Sequence, residues 1–291
     1  MAGHDGERAL VLGGGGVAGV AWEIGLLSGL AARGVDLGSA DLVVGTSAGS
    51  IVGALLRTGE DPEQLYAAQL APVPAAEPAV RFDGAAFMAS FARVLAGATG
   101  QQDARARIGS LALQAGTAPE DDRRGIIAAR LGGDRSWPAA RLVVTVVDAA
   151  DGEFRAIDAE SGVGLVDAVA ASCAVPGVWP TVTIDGRRYM DGGMRSPTNA
   201  DLATGHRRVL VVAPVPGMPG SPLGPGLDQE LEELRGGGAQ VHVVTADEAA
   251  LRAFGTNPLD PATREPAARA GRDQATREVD AIRRFWADGT A

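Results

Sequence analysis

The chain has no lysine. All 26 of its basic residues are arginine, set against 36 acidic ones for a net charge of −10. That balance argues against general nucleic-acid binding and against a purely electrostatic hold on an anionic membrane. Cys173 is the only cysteine, so no intramolecular disulfide can form. Aromatics make up only 4%, which leaves most of the packing to Val, Leu and Ala. No apolar run of about 18 residues offers a membrane span. Residues 1–8 are polar and lack the apolar core of a signal peptide. The expectation is a cytoplasmic protein that meets any lipid from the water side, with peripheral membrane contact left open. The missing lysine, beside abundant Ala and Gly, reads as coding bias and carries no functional signal.

What is present reads as globular: 291 residues, 46% apolar and 21% charged. Short apolar runs at 9–12, 42–44, 141–147, 154–158, 181–184, 187–190, 209–212 and 241–244 have the character of strands. Helical periodicity follows several of them. The pattern predicts an α/β fold with a mostly parallel central sheet flanked by helices. With no repeat and no linker, one domain over 1–291 is expected. An Ala-rich stretch at about 71–137 reads as inserted helices forming a lid, and 217–226 as a mobile loop. Apolar residues recur every three or four positions from Ala268 to Trp286. They predict a C-terminal amphipathic helix over about 262–287.

Gly45-Thr46-Ser47-Ala48-Gly49 has the form G-x-S-x-G between an apolar strand and an apolar helix. A nucleophile on such a turn stands exposed at the carboxyl edge of a sheet. The chain passes so close on either side that Gly45 and Gly49 must be small. The helix that follows directs its N-terminus at the site, which favours developing negative charge.

Upstream, Gly14-Gly15-Gly16-Val17-Ala18-Gly19 has the form G-x-G-x-x-G. Three readings are open: a dinucleotide pyrophosphate site, an oxyanion hole of successive N–H groups, or a flexible turn. An acid for a ribose would fall near Asp36, with no clear second strand before it, and the next strand ends in the Ser47 turn instead. Two anion-binding turns side by side, one bearing a serine, suit acyl transfer.

A serine needs a base, and none of the three histidines is well placed. His4 lies in the N-terminal tail, His206 in a turn read as solvated, and His242 inside an apolar strand read as core. Asp191-Gly192-Gly193 follows a strand-like run and offers a carboxylate instead. It reads either as a plain turn or as a base, if burial raises a pKa that is near 4 in water.

Together these motifs resemble the patatin-like phospholipase family. The likeness rests on the glycine loop at 14–19, the Ser47 elbow, the small-residue run Ala171-Ser172-Cys173-Ala174-Val175-Pro176, and Asp191-Gly192-Gly193. It covers about residues 9–199. It implies a patatin-like three-layer sandwich and a Ser47–Asp191 dyad without histidine. It also implies an oxyanion hole from Gly14, Gly15 and Gly16, and hydrolysis of lipid acyl esters, of phospholipase A or lysophospholipase type, with no metal or cofactor. One position departs from the family. Ala18 stands where Lys or Arg is frequent, which favours a neutral ester or a lysolipid over a phospholipid. An acyltransferase with the same dyad and a non-catalytic lipid- or nucleotide-binding module are the alternatives. An α/β-hydrolase with an unrecognised histidine is the alternative fold.

Overall fold

The computed structural model describes residues 7–73, 84–133, 136–217 and 220–287. The first half of the order is β1 (Arg8–Leu12), α1 (Gly16–Ala31), β2 (Leu42–Gly45), α2 (Ala48–Arg57), α3 (Pro62–Leu70), α4 (Gly84–Leu95), α5 (Gln101–Gln114) and α6 (Glu120–Arg130). Then come β3 (Leu142–Asp148), β4 (Phe154–Ile157), α7 (Leu165–Ser172), β5 (Val182–Ile184) and β6 (Arg187–Asp191). The chain ends in β7 (Arg208–Ala213), α8 (Leu227–Gly236), β8 (Gln240–Thr245), α9 (Glu248–Phe254) and α10 (Arg264–Trp286). Each apolar run named above forms a strand, because Val, Leu and Ile bounded by turn residues fit a sheet buried on both faces.

The strands of the described residues make one mixed sheet: β1 lies between β2 and β7, β8 pairs with β7, β5 pairs with β6, and β2, β4 and β6 all pair with β3. β3, β2, β1, β7 and β8 run parallel. β4 and β6 are antiparallel to β3, and β5 to β6.

β3 is the strand on which the site is built. β2 pairs with its first half, Gly45 opposite Val144, and β6 with its second, Asp191 opposite Val146. Both use the same edge. Backbone hydrogen-bonding groups alternate from side to side along a strand. Arg141 O, which accepts from Val43 N–H, and Ala149 N–H, which donates to Arg188 O, both belong to odd-numbered residues. β2 and β6 therefore run toward each other along one edge and stop with only Thr145 between their ends.

On one face lies α1, a helix apolar on nearly every side and almost wholly buried. It packs directly against α10. A Cβ added to Gly25 would stand 2.0 Å from Ala268 O, and one on Gly271 2.1 Å from Trp22 O. The two backbones approach so closely that only glycine fits. The C-terminal amphipathic helix expected over about 262–287 is α10, whose buried stripe includes Ala268, Gly271, Ala275, Val279, Ile282 and Trp286. Of the Ala-rich stretch, α4, α5 and α6 are helices as expected. Residues 74–83 and 134–135 lie outside the described residues, as do 218 and 219 of the expected mobile loop.

Glu23 of α1 is an acid in the core: it is fully buried, and among the described residues neither carboxylate oxygen has a hydrogen-bond partner. Burial raises its pKa well above the ordinary value. A group whose pKa rises on folding lends stability below its unfolded pKa and loses it as pH climbs. Glu23→Gln is therefore expected to gain stability relative to wild type as pH rises from 5 to 8. Urea unfolding at the two pH values measures this. An equal gap at both would mean that Glu23 is not forced neutral.

Candidate active site

Ser47 sits between β2 and α2 with φ 52° and ψ −113°, a backbone that a residue with a Cβ seldom adopts. The surroundings hold it there. Ser47 N–H donates to Ser172 Oγ at 2.9 Å, and Thr46 N–H to Leu12 O at 3.0 Å. Gly49 N–H donates to Gly13 O at 3.0 Å. The strained turn aims the hydroxyl at Asp191, and Ser47 Oγ donates to Asp191 Oδ2 at 2.7 Å.

Asp191 is the last residue of β6. Its Oδ1 accepts from Gly193 N–H at 2.7 Å, and its own N–H donates to Ala174 O at 3.0 Å. Gly192 passes against Thr145, the residue that separates β2 from β6. Asp191 is only 3% exposed. Burial pushes its carboxyl up to about 7, against the hydrogen bonds from Ser47 and Gly193, which favour the ionised form. An aspartate in water is charged and weakly basic at neutral pH. This one is poised to take a proton there.

The glycine loop runs beside Ser47: a Cβ on Gly14 would lie 3.5 Å from Ser47 Cβ. Its donors differ from expectation at one position. Gly14 N–H is donated to Pro197 O at 2.8 Å, so Gly14 fixes the loop and is not a free oxyanion donor. Among the described residues, the N–H groups of Gly15, Gly16 and Ala48 donate to no protein acceptor. Gly16 opens α1 and Ala48 opens α2. The N–H groups of Gly16 and Ala48 therefore stand at helix N-termini, which favour negative charge.

Among the described residues no histidine reaches this place. His4 lies outside the described residues. His206 is buried, not solvated as its turn suggested, and its Nδ1 lies 3.0 Å from Ala203 O. It precedes β7, whereas Ser47 follows β2, at the other edge of the same parallel sheet. His242 stands on β8, three strands from β2 and so about 14 Å away. Its ring packs on Phe285, and among the described residues its Nε2 has no partner, unlike the satisfied core histidine expected. Cys173 touches Ser47 O through Sγ at 3.3 Å. Burial, with the Asp191 charge, raises its thiol to about 11, so it stays protonated and packs. Among the described residues no group of three or more His, Cys, Asp or Glu is arranged to hold a metal ion.

One residue of the site had no signal in the sequence. Asn199 is fully buried with φ 50°, a left-handed conformation that Asn tolerates. Its Nδ2 donates to Ser196 O at 2.8 Å, Thr46 Oγ1 at 3.0 Å and Gly192 O at 3.3 Å. Its Oδ1 accepts from Arg195 at 2.8 Å. The same loop supplies Pro197 O to Gly14, and Glu230 Oε2 anchors it through Thr198 Oγ1 at 2.5 Å. One amide therefore ties the serine turn to the aspartate turn. Asn199→Gly keeps the backbone conformation and deletes that tie. It is expected to lower kcat about 10- to 100-fold with KM little changed, since a small misplacement of reacting groups costs that much. Steady-state kinetics beside a melting curve would check it. A matching loss in KM would place Asn199 in substrate binding instead.

The chain matches the family model described as patatin-like phospholipase over residues 10–204. No curated protein matches it by sequence. Among solved structures it is similar to VipD from Legionella pneumophila, at 12% identity and a TM-score of 0.44, covering 96% of this chain and 67% of that one. It is also similar to the type III effector protein ExoU, at 15% identity and a TM-score of 0.40. There the match covers 96% of this chain but 53% of the other, so the chain spans about half of ExoU.

Proposed function

This chain belongs to the patatin-like phospholipase family, and from that premise we propose that it is a lipid acyl hydrolase working through a Ser47–Asp191 dyad. The observation that carries the reading is the 2.7 Å hydrogen bond from Ser47 Oγ to Asp191 Oδ2. It joins a strained nucleophile to a buried carboxylate whose pKa is about 7.

Ser47 Oγ attacks the ester carbonyl carbon while its proton passes to Asp191 Oδ2. The carbonyl oxygen, now negative, is held by N–H groups of Gly15 and Gly16, with Ala48 as a further donor. As the tetrahedral species collapses, Asp191 returns the proton to the departing alkoxide, which leaves as an alcohol. Water then attacks the acyl–Ser47 ester and gives a proton to Asp191. The second collapse releases the fatty acid and restores Ser47 Oγ–H. Gly45 and Gly49 let the elbow form, and Gly192 and Gly193 shape the turn that presents Asp191. We assign the phospholipase A or lysophospholipase type, with the whole chain acting as one catalytic unit. Contact with a lipid surface would be peripheral: among the described residues no helix is long and apolar enough to cross a membrane.

The direct test is treatment of the purified protein with a short-chain fluorophosphonate, followed by mass spectrometry of the adduct. A label on Ser47 supports the hydrolase. A folded sample that stays unlabelled would overturn the assignment.

A further inference from the structure

An apolar groove lies between α1, α2, α3 and α6, with a volume of about 280 Å³. Val17, Val20 and Ile24 of α1 form one wall, Ile51 and Leu55 of α2 a second, and Leu65 of α3 a third. Neither Ser47 nor Asp191 lines it. Its walls nevertheless start close to the dyad along the chain. Val17 follows Gly16 directly, and Ile51 is one helical turn beyond Ser47. The α3 wall is pinned at its end by Arg264, which donates to Ala68 O at 2.7 Å and Gln69 Oε1 at 3.3 Å.

The groove has a definite reach. Gly16 to Ile24 and Ser47 to Leu55 are both eight residues, or about 12 Å along a helix. One turn past Ile24 the surroundings turn polar. Ser28 Oγ donates to Glu63 Oε1 at 3.2 Å, and Arg272 donates to Glu63 Oε2 at 2.7 Å and to Ser28 Oγ at 3.0 Å. A methylene pushed that far would strip water from an ion pair and gain little. An extended chain covers about 1.2 Å per bond, since three backbone bonds span 3.3–3.6 Å. Some 12 Å therefore corresponds to about ten bonds. The volume is near the lower limit of small-molecule sites, about 300 Å³, which leaves room for one chain and not two.

Resting on the hydrolase reading above, we propose that this groove is the acyl site and that it selects single-chain esters of medium length, with a limit near ten carbons. The acid released is then a medium-chain fatty acid. A diacyl lipid would have to leave its second chain outside. Apart from Gln69, Arg130 and Arg264 the lining is apolar, so selectivity resides mainly in chain length and not in the headgroup.

The test is a series of p-nitrophenyl monoesters from acetate to palmitate, kept below aggregation. In wild type, kcat/KM is expected to rise about fourfold for each added methylene, the equivalent of about 0.8 kcal/mol of burial, and to stop rising near decanoate. Val20→Phe puts a ring one turn from Gly16 and is expected to lower the decanoate-to-butyrate ratio at least tenfold. Ile24→Ala opens the far wall and is expected to move the break toward laurate. Val20 is only partly buried, so its variant gives a result even if the buried Ile24→Ala change costs too much stability. If wild type cleaves butyrate with no break in the series, or if Val20→Phe leaves the ratio unchanged, the groove is not the acyl site and the hydrolase stands. If wild type neither cleaves any ester nor labels at Ser47, the hydrolase reading fails and takes this proposal with it.

Discussion

Asp191→Asn is expected to lower kcat/KM for a short ester by roughly four orders of magnitude, as Ser47→Ala does, with the double variant no worse than either. The three losses coincide because one hydrogen bond, Ser47 Oγ to Asp191 Oδ2, makes both residues parts of one device. An asparagine oxygen can still accept that bond, so the geometry survives, but an amide cannot take the proton.

The wild-type pH profile carries the same signature. Only the ionised carboxylate is a base, so kcat/KM is expected to rise through about pH 7, where Asp191 titrates. Stability moves the other way. The folded pKa of Asp191, about 7, lies above the unfolded value of about 3.9. Its contribution is complete below the unfolded value and is lost as pH rises through about 7, a cost of about 4 kcal/mol by pH 8. Asp191→Asn is spared that cost. It is expected to be inactive and to melt several degrees higher than wild type at pH 8. Kinetics and melting curves on one preparation settle the matter. A variant that is inactive and also less stable would point to a structural aspartate, and a variant that stays active would remove the dyad.

The second large effect concerns a residue with no side chain. Gly49→Ala would place a Cβ 2.0 Å from Leu12 O and 2.3 Å from Leu12 C. Neither partner can yield. Leu12 ends β1, which is paired on both sides by β2 and β7. Gly49 is tied to Gly13 O through its N–H. The clash must open the junction of β1 and α2, the same junction that sets the strained backbone of Ser47. The expected loss is about 3 kcal/mol or more of stability, with kcat down at least about 100-fold because the nucleophile shifts. Gly125→Ala is the matching control. Nothing lies within 4 Å of a Cβ on Gly125, inside α6, so alanine is expected to gain about 0.5–1 kcal/mol there. Urea titrations of both variants make the comparison. Equal stabilities would mean that the elbow tolerates a side chain and that its glycines are incidental.

The parts that were legible in the sequence are those whose chemistry is local. A strand, a tight turn and a helix are written in adjacent residues, so G-x-S-x-G at Gly45–Gly49 and the glycine loop were visible as motifs. The apolar runs located the strands because a strand buried on both faces needs nothing beyond its own composition. Histidine failed as the base on placement alone. The same local view misread His206, because the turn around it reads as solvent-facing while the packing that buries it comes from distant chain. It also assigned Gly14 to the oxyanion, since nothing near Gly14 reveals that its N–H is taken by Pro197 O, far along the chain.

By itself, then, the sequence determined the family, the α/β class, and Ser47 and Asp191 as candidates, because each depends on short spacings that survive without a fold. Tertiary structure alone decided the rest. It set β2 and β6 end to end along one edge of β3, 144 residues apart in sequence at the dyad yet 2.7 Å apart in space. It raised the Asp191 carboxyl to about 7 by burying it, gave Asn199 its hydrogen bonds to both turns, and enclosed the groove between α1, α2, α3 and α6. Burial, register and shape are properties of what surrounds a residue, and those surroundings come from elements distant in the chain.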